Sequence, residues 1–157
     1  MIAHETSRLA DLIGDVLDTS RIEAGTFSYS FEDVDMARLV RDSAAAAEHG
    51  QDEVAVEAVV REPLPAVRGD RDRLRQVLVN LVGNAIKYSP DSGRIEVRLE
   101  PRENGLRIAV RDEGVGIPQS EQQRIFEKFY RVPEMINSVG GTGLGLYICR
   151  ELTRRMG

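Results

Sequence analysis

The sequence predicts an α+β fold, a mixed helix–strand domain preceded by one long helix. Three observations point to it. Apolar and polar residues alternate over 53–61, 94–100 and 106–112, as half-buried strands require. Apolar residues recur at helical spacing elsewhere, most plainly at Leu74, Val77, Leu78, Leu81 and Ile86. A separate helical stripe, Leu9, Leu12, Ile13, Val16 and Leu17, precedes every strand.

The elements follow in order. Met1 to Ala24 is predicted helical, with Gly25 as its C-cap. Its apolar stripe is narrow, so the helix either packs on its own domain or is a bundle helix that needs a partner. Phe27–Phe31 alternates and is expected to be a short strand. Asp35 caps a helix over Met36–Glu48. Residues 53–61 form a strand that Pro63 and Pro65 end. Asp70 opens a longer helix to about Tyr88, and Pro90–Gly93 is a turn. Residues 94–100 and 106–112 make a hairpin through a loop at 102–105. A glycine-bearing turn at 113–117 leads to a short amphipathic helix over 120–129. Residues 132–143 are polar, glycine-rich and expected to be mobile, and a last helix starts at Thr142 or Gly143 and runs to Met156.

Composition narrows the class. A chain of 157 residues buries roughly 70% of its unfolded surface, enough for a core, here one of Leu, Val, Ile and Ala because Trp is absent. The net charge of −5 argues against a nucleic-acid partner. No apolar run approaches the roughly 20 residues a bilayer span needs, and no export signal is visible at 1–10, so a cytoplasmic domain is expected. The single cysteine, Cys149, rules out a disulfide framework and is read as a small core residue.

The glycines are unevenly spread: eight of fourteen lie between 93 and 145, concentrated in Asp112-Glu113-Gly114-Val115-Gly116 and in Gly140-Gly141-Thr142-Gly143-Leu144-Gly145. The second cluster opens a predicted helix, where unpaired N–H groups and the positive dipole end suit a polyphosphate. Taken alone, it reads more readily as a plain flexible loop. A Walker P-loop is excluded, and the Rossmann and protein-kinase signatures are missing. On the helix from Asp70, Asn80 and Asn84 stand one turn apart and share a face. Their amide oxygens could serve Mg²⁺, with Lys87 beside a phosphate, or they could be simply hydrogen-bonded in the core or exposed.

Four segments together resemble the bacterial sensor histidine kinases. Asn80-Leu81-Val82-Gly83-Asn84-Ala85-Ile86-Lys87-Tyr88-Ser89-Pro90 resembles the N box, and Asp112-Glu113-Gly114-Val115-Gly116-Ile117 the G1 box. Ile125-Phe126-Glu127-Lys128-Phe129-Tyr130-Arg131 resembles the F box, and Gly141-Thr142-Gly143-Leu144-Gly145-Leu146 the G2 box. Residues 15–25 resemble the end of the family's second dimerisation helix. The resemblance implies a Bergerat-type ATPase fold, a two-layer α/β sandwich with helices on one face of a mixed sheet. It divides the chain into residues 1–25, part of a dimerisation hairpin, and residues 26–157, an ATP-binding catalytic domain whose last strands lie beyond Gly157.

The resemblance also implies ATP and Mg²⁺ as cofactors. Asn84 would hold Mg²⁺ with Asn80 beside it, Lys87 would meet phosphate and Tyr88 the adenine. Asp112 would accept from the adenine amino group as a buried carboxylate. Gly114 and Gly116 would pass close to the base, with Ile117 in the same box. Phe126 and Phe129 would be core anchors for the lid, and Arg131 would meet the γ-phosphate. Gly141, Thr142, Gly143, Leu144 and Gly145 would wrap the phosphates.

The implied activity is protein-histidine kinase, passing phosphate to a histidine on a dimerisation domain and onward to a response regulator, in a homodimer joined through the N-terminal helix in the full-length protein. His4-Glu5 lies only fourteen residues before Asp18, on the second helix rather than the first, and His49 ends a helix. The acceptor histidine is therefore expected outside this chain. Two alternatives compete. A water-activating ATPase of the same fold would carry Glu where Asn80 stands, because an amide cannot remove a proton. A non-enzymatic regulatory or dimerisation module would bind no nucleotide.

Overall fold

The structure, a computed structural model, describes residues 2–48, 54–89, 93–136 and 140–157. The chain divides into two compact units: one of residues 30–116 with 156, the other of 1–29, 117–155 and 157.

The first unit holds β1 (Glu32–Val34), α2 (Met36–Glu48), β2 (Ala55–Val60), β3 (Val67–Gly69), α3 (Arg71–Tyr88), β4 (Arg94–Arg102) and β5 (Gly105–Arg111). Its sheet is mixed, in the order β2-β4-β5: β2 runs parallel to β4, and β4 and β5 form an antiparallel hairpin. Register makes one face apolar. Val56 stands beside Ile95, Val97 between Ala58 and Val110, and Leu99 between Val60 and Ile108. Against this face lie Leu39, Val40 and Ala44 of α2 and Leu78, Val82 and Ala85 of α3, all in one core cluster. Ile95, Leu78 and Leu99 are almost wholly buried, which stabilises the fold by about 1.5–3 kcal/mol each. The opposite face carries ion pairs: Arg98 with Glu96 at 2.6 Å, and Glu100 with Arg102 at 2.7 Å. Two layers, helices over one face of a mixed sheet, are thus the predicted α+β architecture.

Both helix starts are set by aspartates. Asp35 accepts the Arg38 N–H at 3.0 Å. Asp70 caps α3 through the Arg73 N–H at 3.1 Å and also accepts the Ser30 N–H at 2.8 Å. Burial pushes the Asp70 carboxyl up, but the Ser30 and Arg73 N–H groups and the Arg73 charge outweigh it and hold the group below its ordinary value.

The second unit holds α1 (Ile2–Glu23), two single-turn 3₁₀ segments (Arg124–Phe126 and Pro133–Met135) and α4 (Gly145–Met156). The α1 helix ends as expected, in a left-handed Gly25 (φ 67°) with the Thr26 N–H bonded to Arg21 O and the Gly25 N–H to Ile22 O. Thr19 and Ile22 are buried, but Leu9, Leu12, Ile13, Val16 and Leu17 are all exposed. The stripe therefore does not pack on its own domain. Among the described residues, no helix is long and apolar enough to cross a membrane.

Four expectations change. The strand expected at 27–31 lies at 32–34, because it pairs with β3, a three-residue strand that the two prolines concealed. Phe27 and Tyr29 instead set their rings 5.2 Å apart. The helix expected over 120–129 is turns and one 3₁₀ turn. It is cut off where Glu127 turns extended and Phe129 takes a left-handed φ of 61°. The last helix starts at Gly145, two or three residues late, since left-handed Gly143 (φ 75°) cannot belong to it. The hairpin runs two residues longer than predicted on its first strand. The turn placed at 90–93 lies mostly, and the strand start at 53, His49 and residues 137–139 of the expected mobile stretch lie wholly, outside the described residues.

Candidate functional site

In the first unit the site is built on α3 and the turn that follows β5. Helical geometry puts Asn80, Asn84 and Lys87 within about 60° of one another, well away from the buried Leu78, Val82 and Ala85. All three are half-buried. The same flank continues towards the helix start through Gln76 and Arg73, joined by a 3.0 Å hydrogen bond from the guanidinium to the amide oxygen. The sequence reading missed these two, although the spacing 73, 76, 80, 84, 87 carries them. The Lys87 ammonium lies 5.3 Å from the centre of the Tyr88 ring at the end of the helix.

The turn at 112–116 sits against that helix end. The Val115 N–H points to the Tyr88 carbonyl at 3.4 Å. Gly114 comes closer still: a Cβ there would stand 2.6 Å from the Tyr88 oxygen and 2.7 Å from Asp112 Oδ1, so no side chain fits. Gly116 takes φ 75°, a left-handed backbone that favours glycine. The N-box helix and the G1 turn are thus brought together by a contact that only glycine allows. Asp112 is exposed, not buried as the sequence reading has it, and one oxygen accepts the Gly114 N–H at 2.8 Å. An ionised carboxylate oxygen has a second acceptor position and can take a further donor. Val115, on the same turn, is 73% exposed.

In the second unit, the F-box and G2 segments cross backbone to backbone. The Phe129 N–H donates to Gly143 O at 3.0 Å, and a Cβ on Gly143 would meet the Phe129 carbonyl carbon at 2.7 Å. Phe129 is 65% exposed, so it is no core anchor; its backbone, rather than its ring, makes the contact. Phe126 is half-buried. Arg131 is half-buried and donates to Ile136 O at 3.1 Å. Ile117 is exposed and Leu144 fully buried. The Thr142 hydroxyl oxygen accepts the Leu144 N–H at 3.2 Å, just before Gly145 opens α4. Gly141, Thr142, Gly143 and Gly145 therefore lie at the positive end of a twelve-residue helix.

Among the described residues no group of His, Cys, Asp or Glu could hold a metal ion. A cation on this helix flank would have only amide oxygens, water and a ligand's own oxygens, a donor set that suits Mg²⁺.

Helices over one face of a mixed sheet, with an amide-and-cation helix flank closed by a glycine turn, make up the candidate site. Residues 69–157 match the family of histidine kinase-, DNA gyrase B- and HSP90-like ATPases. The chain belongs to that family, as a catalytic ATP-binding domain of the sensor histidine kinase kind. It is 36% identical to the drug sensory protein A of Synechocystis over 95% of this chain and 24% of that protein. It is 32% identical to the sensor histidine kinase WalK of Bacillus subtilis, over 98% of this chain and 26% of the other. It thus spans about a quarter of the length of these two relatives. Among solved structures, full-length ShkA in complex with AMPPNP superposes with TM-score 0.82 at 33% identity, over 98% of this chain and 32% of that one. The mycobacterial sensor histidine kinase MprB gives TM-score 0.68 at 30% identity, over 83% and 81%.

Proposed function

We propose that residues 26–157 bind Mg²⁺-ATP and transfer its γ-phosphate to a histidine carried outside this chain, and that residues 1–25 are the second helix of a dimerisation hairpin. The observation that carries the reading is the Gly114 contact. It sets the exposed Asp112 turn against Tyr88, at the end of the α3 flank that carries Asn84 and Lys87. Asn84, with Asn80 beside it, would hold Mg²⁺ through amide oxygens, Lys87 would meet phosphate and Tyr88 would lie along the adenine. Asp112 would accept from the adenine amino group, and Gly114, Gly116 and Ile117 would line the base. Arg131 would meet the γ-phosphate, and Gly141, Thr142, Gly143, Leu144 and Gly145 would supply backbone to the phosphates. The bound metal would neutralise charge on the phosphates.

In phosphoryl transfer a protein mostly positions its reactants and stabilises charge. The residues in hand suit that work: amides and cations, with no carboxylate on the α3 flank. Asn80 cannot take a proton from water, which favours transfer over hydrolysis. The exposed stripe of α1 supports a homodimer, in which a response regulator would be the onward acceptor, and a cytoplasmic setting follows from that chemistry. The test is phosphotransfer. Labelled ATP should phosphorylate a supplied dimerisation domain only with Mg²⁺, and Asn84→Ala should lose that transfer. Steady ATP hydrolysis without any acceptor would instead support the water-activating ATPase.

A further inference from the structure

Two acidic residues of α1 grip the crossing of the F-box and G2 segments. The Thr142 hydroxyl donates to Asp15 Oδ2 at 3.3 Å, while its oxygen accepts the Leu144 N–H at 3.2 Å. Thr142 therefore links α1 to the start of α4. Eight residues on, about 12 Å along the helix, Glu23 pairs with Lys128. Thr142 immediately precedes Gly143, and Lys128 immediately precedes Phe129. Those two neighbours make the crossing itself, through the bond from Phe129 N–H to Gly143 O. A third tie runs from the Arg155 guanidinium to Ile22 O at 3.0 Å.

Stability alone does not account for this arrangement. Asp15 is half-buried, and among the described residues the charges that bear on it are those of Asp18 and Asp11, both acidic. Burial pushes its carboxyl up, and the Thr142 hydroxyl bond opposes the shift only in part. A carboxylate kept from water without a cation is costly. The crossing it helps to hold contains Phe129 at φ 61°, a conformation that costs a bulky residue about 1–3 kcal/mol. Strain of that kind persists where surrounding contacts over-determine the backbone, and α1 supplies such contacts on both sides of the crossing.

We propose that Asp15 is a positioning residue: through Thr142 it fixes the conformation of the segment 141–145 and so raises nucleotide affinity, with the Glu23–Lys128 pair holding the other side of the crossing. A segment ordered before binding does not pay for its ordering at binding. A rotation of α1 by one residue, about 100°, would carry Asp15 away from Thr142 and lower affinity. The inference rests on the Mg²⁺-ATP reading above.

The test titrates a fluorescent ATP analogue with Mg²⁺ into the whole chain. The variants are Asp15→Ala, Asp15→Asn, Thr142→Val and the double variant Asp15→Ala/Thr142→Val. Amide exchange at Phe129 and Leu144 is measured in parallel without nucleotide. Asp15→Ala should bind about three- to tenfold more weakly and exchange faster at Leu144. Asp15→Asn should recover to within about twofold, since its amide oxygen still accepts. On the Thr142→Val background, Asp15→Ala should add less than about twofold. Wild-type affinity with unchanged exchange in Asp15→Ala overturns the proposal, as does an undiminished effect on the Thr142→Val background. If the wild type binds no nucleotide, the ATP reading fails. The exchange data then decide alone: faster exchange at Leu144 in Asp15→Ala supports the latch, and unchanged exchange overturns it.

Discussion

Replacing Gly114 with Ala tests the contact that holds the α3 end and the 112–116 turn together. The new Cβ would stand 2.6 Å from the Tyr88 carbonyl oxygen and 3.1 Å from its carbon, inside the 3.4 Å at which ordinary contact begins. The Tyr88 oxygen is backbone at the end of α3, so it cannot swing aside as a side chain would. Gly114 is not left-handed, so Ala is conformationally acceptable and the cost is steric alone. Overpacking of this sort costs about 1–3 kcal/mol. Gly83→Ala is the control. Gly83 is an exposed position inside α3, and a Cβ there meets nothing within 4 Å. That change should stabilise by about 0.8–1 kcal/mol. Urea unfolding followed by circular dichroism should therefore move the two midpoints in opposite directions, about 2–4 kcal/mol apart. A Gly114→Ala midpoint equal to that of the wild type, with the same slope, would refute the reasoning.

Three further outcomes follow from the same structure. Asp70→Ala should cost about 1–3 kcal/mol at pH 7, because it removes both the α3 cap and the Ser30 tie. Since the folded Asp70 carboxyl titrates below its ordinary value, its contribution is present above about pH 4 and is lost as pH falls through the folded value. Asp70→Asn should flatten that acid-side slope in pH-dependent unfolding. Phe129→Gly should be neutral or stabilising by up to about 1 kcal/mol, because it relieves a left-handed backbone while giving up a ring that is already 65% exposed. A larger loss in thermal melts would mean that the ring packs. Ile13→Asp should shift the chain from dimer to monomer in sedimentation without loss of helix, since Ile13 lies in the exposed α1 stripe. An unchanged sedimentation coefficient would remove the dimer reading of that stripe.

Local signals in the sequence were strong where one residue governs an element. Asp35, Asp70 and Gly25 set helix ends at the positions where they stand. The alternation over 94–112 marked the hairpin because each strand buries one face. Non-local pairing was not legible: β1 exists only because Val67–Gly69 comes back antiparallel to it, and three residues after two prolines carry no period. The segment 120–129 has a helical pattern, but the backbone reversal at Phe129 comes from its crossing with Gly143. At the site, the N-box helix and the G1 turn meet where Gly114 approaches Tyr88. The Gly114–Tyr88 approach, the exposure of Asp112 and the Arg73–Gln76 extension of the flank are tertiary facts. Only the last of them is carried by residue spacing, and the sequence reading missed it.

Calorimetric titration of ATP into the whole chain, with and without Mg²⁺, bears most directly on the central claim. The account predicts saturable binding that strengthens with Mg²⁺ and that falls at least about tenfold in Asn84→Ala and in Asp112→Ala, a loss of about 1.4 kcal/mol each. Binding of equal strength in both variants would contradict the assigned site, and no heat from the folded wild type would contradict nucleotide binding itself.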